Sequence, residues 1–183
     1  RVANGSHEEI KEREPLYIGQ DFNVNHMASS ISVKRDNGWH CVAELTDGID
    51  TPSLIETVKQ KYAGHKIYVY PDASGKNTSS KGASLSDIAL LKAAKFNIRA
   101  KNSNPLVKDR ILSMNTAFSK QRLWVNVKNC PEQTKCLEQQ AYDKNGEPDK
   151  KSGVDHQNDG LGYFCHYEMP INKPIIYHSA SAF

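Results

Sequence analysis

The sequence predicts an α/β domain with a mixed sheet, three antiparallel strands followed by parallel strands, flanked by helices. The first observation is period-two apolar alternation running from Leu16 to Leu45. The second is a switch to helical spacing at Leu54, Ile55, Val58 and Tyr62, followed at once by the short β-rich run KIYVY, residues 66 to 70. Size agrees, since 183 residues at 38% hydrophobic content can bury one real core.

The three opening runs are LYIGQDF, ASSISVKR and WHCVAEL. Asp36-Asn37-Gly38 accept the turn backbone needed between the second and third, which predicts a hairpin and a meander. Pro52 and Gly64 bracket the first helix. A strand reached through a helix should lie parallel to its neighbour, so KIYVY is expected to pair in parallel. A second helix is expected from Ser84, with Asp87 at N3 as a capping pair, and Phe96-Asn97-Ile98 as a short strand after it. A third should begin at Asn104-Pro105 and carry Val107, Ile111, Met114 and Phe118 on one face. Arg122 to Val127 reads as a strand pair or strand-loop, Pro131 to Tyr142 as a helix, 143 to 153 as a polar loop, and a last helix starts near Val154. Residues 1 to 14 have almost no apolar content, and Gly5-Ser6-His7 looks like a cloning remnant. They are expected to be a flexible segment outside a single domain at 15 to 183.

Charge permits a polyanion partner without requiring one: 24 Lys plus Arg stand against 21 Asp plus Glu, a formal net charge of +3. No apolar run approaches the ~18 residues of a membrane span. The four cysteines lie far apart without CxxC spacing, which argues against a zinc knuckle and for a reducing cytosol. No export leader is visible at Arg1, so an excised cytosolic domain is expected.

Phosphodiester hydrolysis on divalent metals needs acidic oxygens converging on one point, so the informative aspartates are those that strand and helix geometry brings together. Asp21 sits inside the first strand, where an unpaired charge is costly. Asp72 follows the fourth strand directly, at the carboxyl edge where ligand sites of open α/β sheets collect. In the run DHQNDGLGYF, helical spacing puts Asp155 and His156 on one face with Asp159. Like charges so placed repel, and a cation would relieve them. Gly160 and Gly162 would let this helix approach the sheet closely.

IGQDFNVN, VYPDASG and DHQNDGLGYF, in this order and approximate spacing, resemble the three carboxylate motifs of the nuclease domain of phage large terminase subunits, within the ribonuclease H-like superfamily. The resemblance spans roughly Leu16 to Tyr167. It implies a divalent-metal-dependent DNA endonuclease that cuts concatemeric viral DNA during headful packaging with little sequence preference. It implies two Mg²⁺ or Mn²⁺ ions on Asp21, Asp72 and Asp159, with Asp155 competing for the third ligand role, and His156 near the metals. Relatives often read Asp-Ala where this chain has Asp159-Gly160, and often place a second acid beside the first. The resemblance further implies double-stranded DNA as substrate, an ATPase domain in the full-length protein, a small terminase subunit and a portal as partners, and the cytoplasm of an infected bacterium as location.

Candidate DNA contacts are Lys76, Arg99, Lys101, Lys120, Arg122, Lys150 and Lys151, whose charge would supply salt-sensitive, sequence-independent affinity. Ser74-Gly75-Lys76-Asn77 lacks the upstream Gly and following Ser/Thr of a phosphate loop and is rejected as one. Sugar kinases and actin-like ATPases need Gly-rich nucleotide segments that are not visible. A related metal nuclease, such as a resolvase or exonuclease, and a non-catalytic DNA-binding module stay open.

Overall fold

The computed structural model describes residues 2–22, 27–73, 86–142, 144, 148–149 and 154–171. Its strands are β1 (Leu16–Asp21), β2 (Met27–Arg35), β3 (Gly38–Gly48), β4 (Ile67–Pro71), β5 (Asn97–Ile98) and β6 (Leu123–Val125). Its helices are α1 (Thr51–Lys61), α2 (Asp87–Ala93), α3 (Val107–Ser119), α4 (Pro131–Gln139) and α5 (His156–Glu168). The strands form one sheet in the order β5-β4-β1-β2-β3-β6. β1, β2 and β3 make the expected antiparallel meander, while β4 pairs in parallel with β1, β5 with β4, and β6 with β3. Every strand except β2 therefore runs in one direction. The carboxyl ends of β1, β4 and β5 share one edge.

Period two sorts the strand residues between two helical layers. Leu16, Ile18, Ile67 and Val69 pack with Leu54, Val58 and Leu91 of α1 and α2. Trp39, Cys41 and Tyr70 pack with Met114 and Ala117 of α3 and Leu161 and Phe164 of α5. Each large apolar side chain so enclosed contributes roughly 1.5–3 kcal/mol. β2 is covered on both faces, so small polar residues replace exposed ones: Ser29, Ser30 and Ser32 are buried beside Ile31 and Val33.

Several boundaries differ from expectation for identifiable reasons. α1 starts where Pro52 predicts, with Asp50 and Ser53 forming a capping box, and Gly64 takes φ +82° in the turn beyond it. α2 is capped by Ser86, whose hydroxyl accepts from Ala89 N; Asp87 instead accepts from Thr51 Oγ1 at 2.7 Å and ties α2 to α1, while Ser84 lies outside the described residues. α3 buries Arg110, Ser113, Met114 and Ala117, so its inward stripe is rotated from the expected Val107-Ile111-Met114-Phe118 line. α4 ends at Gln139, short of Tyr142, and no side chain of its own caps its start. Glu44 on β3 does so instead, accepting from Glu132 N at 2.9 Å and Gln133 N at 2.7 Å.

The segment that composition placed outside the fold is docked on it. Ser6 N donates to Val125 O at 2.9 Å, and Ser6 Oγ lies 2.7 Å from His40 Nδ1. Arg35 is gripped by Glu8 at 2.5 Å and Glu14 at 2.6 Å. These are polar contacts, which an apolar-periodicity reading does not register.

Candidate active site

Alternation along β1 puts Tyr17, Gly19 and Asp21 on the face that α5 covers. The approach of α5 is a backbone contact: a Cβ built on Gly19 would lie 2.2 Å from the Gly160 carbonyl oxygen, and one on Gly160 would lie 3.0 Å from the Gly19 oxygen. Glycine is required at position 19, while at position 160 a methyl group would be tight and would need a shift of a few tenths of an ångström. Gly160 thus has the close-packing role expected of it. Gly162 does not face the sheet; it faces Arg110 of α3, where an added Cβ would stand at ordinary contact, 3.4 Å from Arg110 Cβ.

This contact delivers the first turn of α5 to the end of β1. Asp21, Asp72, Asp155, His156 and Asp159 line one cleft of about 590 Å³, together with Arg110, Asn104 and Tyr163. His156 Nδ1 lies 3.2 Å from Asp21 Oδ2, and its Nε2 lies 3.8 Å from Asp155 Oδ1. Asp159 Oδ1 accepts from Arg110 Nη1 at 2.8 Å. Asn104 Nδ2 donates to Asp72 Oδ1 at 2.5 Å. Asp155 occupies the position before α5 but makes no capping bond; it is buried against the cleft instead. Behind the site, Gln20 Nε2 donates to the Asp21 carbonyl and Ser29 Oγ donates to Gln20 Oε1, which fixes the end of β1.

Electrostatically the cleft is short of positive charge. Burial, then the carboxylates of Asp159 and Asp72, push Asp21 up from 3.8 to about 6, while His156 pulls it back. Among the described residues no three acid, histidine or cysteine side chains already form a closed metal cage. The donor set nevertheless suits a hard divalent cation, because carboxylate oxygens dominate it and their mutual repulsion is the quantity a cation relieves.

Residues 18–168 match the family described as the terminase RNaseH-like domain. The chain belongs to that family. Solved structures share the fold of this terminase RNaseH-like domain. The large terminase of a thermophilic bacteriophage superposes with a TM-score of 0.68 at 20% identity, covering 91% of this chain and 42% of that one. The nuclease domain of the P22 large terminase gives 0.64 at 18% identity, covering 85% and 82%. The nuclease domain of the bacteriophage SPP1 large terminase, with bound Mn, gives 0.54 at 18% identity, covering 88% and 94%. The chain thus spans 42% of the length of the thermophilic phage protein. No curated protein gives a significant match to the sequence. The sheet with its antiparallel meander and parallel flank is ribonuclease H-like.

Topology divides the basic residues of this terminase domain. Arg99 and Lys101 follow β5 and stand on the carboxyl edge that carries Asp21 and Asp72. Lys120 and Arg122 precede β6, at the opposite edge, and are not brought to the carboxylates. Lys76, Lys150 and Lys151 lie outside the described residues. Sequence reasoning did not single out Arg110, Asn104 or Tyr163 as site residues. The one signal for Arg110 was its position three residues after Val107 and four before Met114, on the buried side of α3.

Proposed function

We propose that the cleft at the carboxyl edge is the hydrolytic centre of a divalent-metal-dependent DNA endonuclease. The observation that carries this is the meeting of Asp21, Asp72, His156 and Asp159, from three separate elements, in one cleft of a terminase RNaseH-like domain. Asp21, Asp72 and Asp159 would hold two Mg²⁺ or Mn²⁺ ions, with Asp155 the alternative third ligand. When bound, such ions would supply Lewis acidity and make a bound water easier to deprotonate. Asp21, at the carboxyl end of the central strand β1, would serve as ligand to both, and Asn104 orients Asp72 through its amide. His156, within hydrogen-bond reach of Asp21, positions a water or relays its proton. Arg99 and Lys101 offset the repulsion between the acids and the DNA backbone. No base-reading helix is evident among the described residues, so cutting is nearly independent of sequence.

In the whole protein this activity would cut concatemeric viral DNA during headful packaging, in the cytoplasm of the infected bacterium. An ATPase domain, a small terminase subunit and a portal would be its partners. Among the described residues no helix is long and apolar enough to cross a membrane. The test is nicking and linearisation of supercoiled plasmid with Mg²⁺ or Mn²⁺ against a chelator control. Wild type should cut and Asp21→Asn should not, with an unchanged circular dichroism spectrum. Full nicking by a folded Asp21→Asn protein would overturn the assignment.

A further inference from the structure

Arg110 is 5% exposed, yet it forms part of the wall of the acidic cleft. Its position is fixed from several sides. The stem packs beside Gly162, the guanidinium carbon sits 4.3 Å from the Tyr163 ring centre, and Nη1 reaches both the carboxylate of Asp159 at 2.8 Å and its carbonyl at 3.4 Å. Its Nε is buried without a hydrogen-bond partner among the described residues. A tie between α3 and α5 would explain the ion pair alone. It does not explain a cation set in the wall of a cleft that also holds Asp21, Asp72 and His156, with donor capacity left over.

A guanidinium and a divalent ion are rivals for the same carboxylate oxygens. We propose that Arg110 is a positioning residue that occupies Asp159 while no metal is bound and, once Asp159 turns to a divalent cation, presents its guanidinium to a phosphodiester oxygen of the DNA. The planar fork suits both partners, carboxylate and phosphate, which a lysine would serve only as a point charge. The exchange lets charge stay balanced at each stage: one acid with one arginine before loading, acid with metal and arginine with phosphate after it. This inference rests on the reading of Asp159 as a metal ligand.

The test compares Arg110→Met, which keeps much of the stem's bulk, with wild type. Mn²⁺ binding is measured without DNA by electron paramagnetic resonance of the free ion, and plasmid nicking is measured at saturating Mn²⁺. Removing a competing cation and its repulsion should tighten Mn²⁺ binding by about tenfold or more. Loss of the phosphate contact should slow nicking by about a hundredfold at the same time. A gain in metal affinity joined to a loss in rate is the signature that a purely structural tie does not produce. Unchanged or weaker Mn²⁺ binding in folded Arg110→Met overturns the proposal. If that variant does not fold, Arg110→Lys carries the comparison, with Mn²⁺ binding expected about threefold tighter and nicking slower, and unchanged binding again decisive against it. Failure of the underlying reading looks different: Asp159→Asn would then bind Mn²⁺ as wild type does.

Discussion

Replacing Gly19 by alanine adds a single methyl group where, among the described glycines, the least space is available. Its carbon would lie 2.2 Å from the Gly160 oxygen, 2.8 Å from the Gly160 carbonyl carbon and 2.9 Å from Ser30 Oγ. Ordinary contact begins near 3.4 Å. Two of the three opposing atoms are main chain, so no rotamer change relieves the clash, and α5 must lift from β1 by about 1 Å. Overpacking of this kind costs about 1–3 kcal/mol, or a fall of roughly 5 °C in melting temperature for a chain of this size. The larger effect is on rate, because a displacement of about 1 Å between reacting groups can cost about a hundredfold. His156 and Asp159 ride on the helix that moves, whereas Asp21 stays with the sheet. The comparison is Gly64→Ala, where open space surrounds the position but φ is +82°, so strain of about 1–2 kcal/mol arises far from the cleft. Both variants should melt earlier in a calorimetric scan, and only Gly19→Ala should lose plasmid nicking. A folded Gly19→Ala protein that nicks at the wild-type rate refutes the view that the glycine contact sets the site.

Three further outcomes are expected. In the presence of chelator, Asp21 holds its proton in the folded state up to about pH 6 while the unfolded chain releases it near 3.8. Folding stability attributable to this group therefore falls as pH rises across that window, by about 3 kcal/mol at most, and is lowest above it. Denaturation of wild type and Asp21→Asn at pH 4 and pH 7 should show the difference, and equal pH slopes would rule it out. His156→Ala should slow cleavage more than it weakens DNA binding, and less than Asp159→Ala slows it; wild-type rates in both Mg²⁺ and Mn²⁺ would remove His156 from the chemistry. Joint replacement of Arg99 and Lys101 by alanine should weaken DNA binding and flatten its salt dependence by about two ion equivalents, whereas replacement of Lys120 and Arg122 should change neither. Equal losses in fluorescence anisotropy for the two pairs would contradict the topological division.

The meander and the α1 crossover were legible because each depends on neighbours in sequence: alternation, a turn at Asp36-Asn37-Gly38, and Pro52 in the first turn of α1. The carboxylate set was legible for a related reason, since an acid at a strand end is placed by the strand. What stayed hidden depends on partners remote in sequence. Glu44 caps α4 from 88 residues away. Gly19 reads as an unremarkable strand glycine until Gly160 is laid against it. Arg110 reads as a surface cation until Gly162 and Tyr163 enclose it. The docked residues 2–14 were missed because hydrogen bonds of Asn4 and Ser6 and ion pairs with Arg35 do most of the holding, with Ile10, among the described residues, the one large apolar side chain packed on the core.

The parallel register of β1 and β4 pairs Gln20 with Pro71, and Asp72 N donates to the Gln20 carbonyl at 3.0 Å. Asp21 and Asp72 therefore leave adjacent strands at the same rung of the ladder. Neighbouring strands stand about 4.8 Å apart, a spacing imposed by peptide hydrogen bonding and independent of side-chain choice. Hydrolytic centres that use paired ions hold them about 3.5–4 Å apart, so the pitch of a β-sheet is itself close to the gauge such chemistry requires. Slipping β4 by one residue would carry Asp72 along the strand axis by about 3.3 Å and turn its side chain to the opposite face. On the two-ion reading proposed above, the spacing of the two acids is thus carried by the backbone, and its accuracy is as durable as the ladder that sets it.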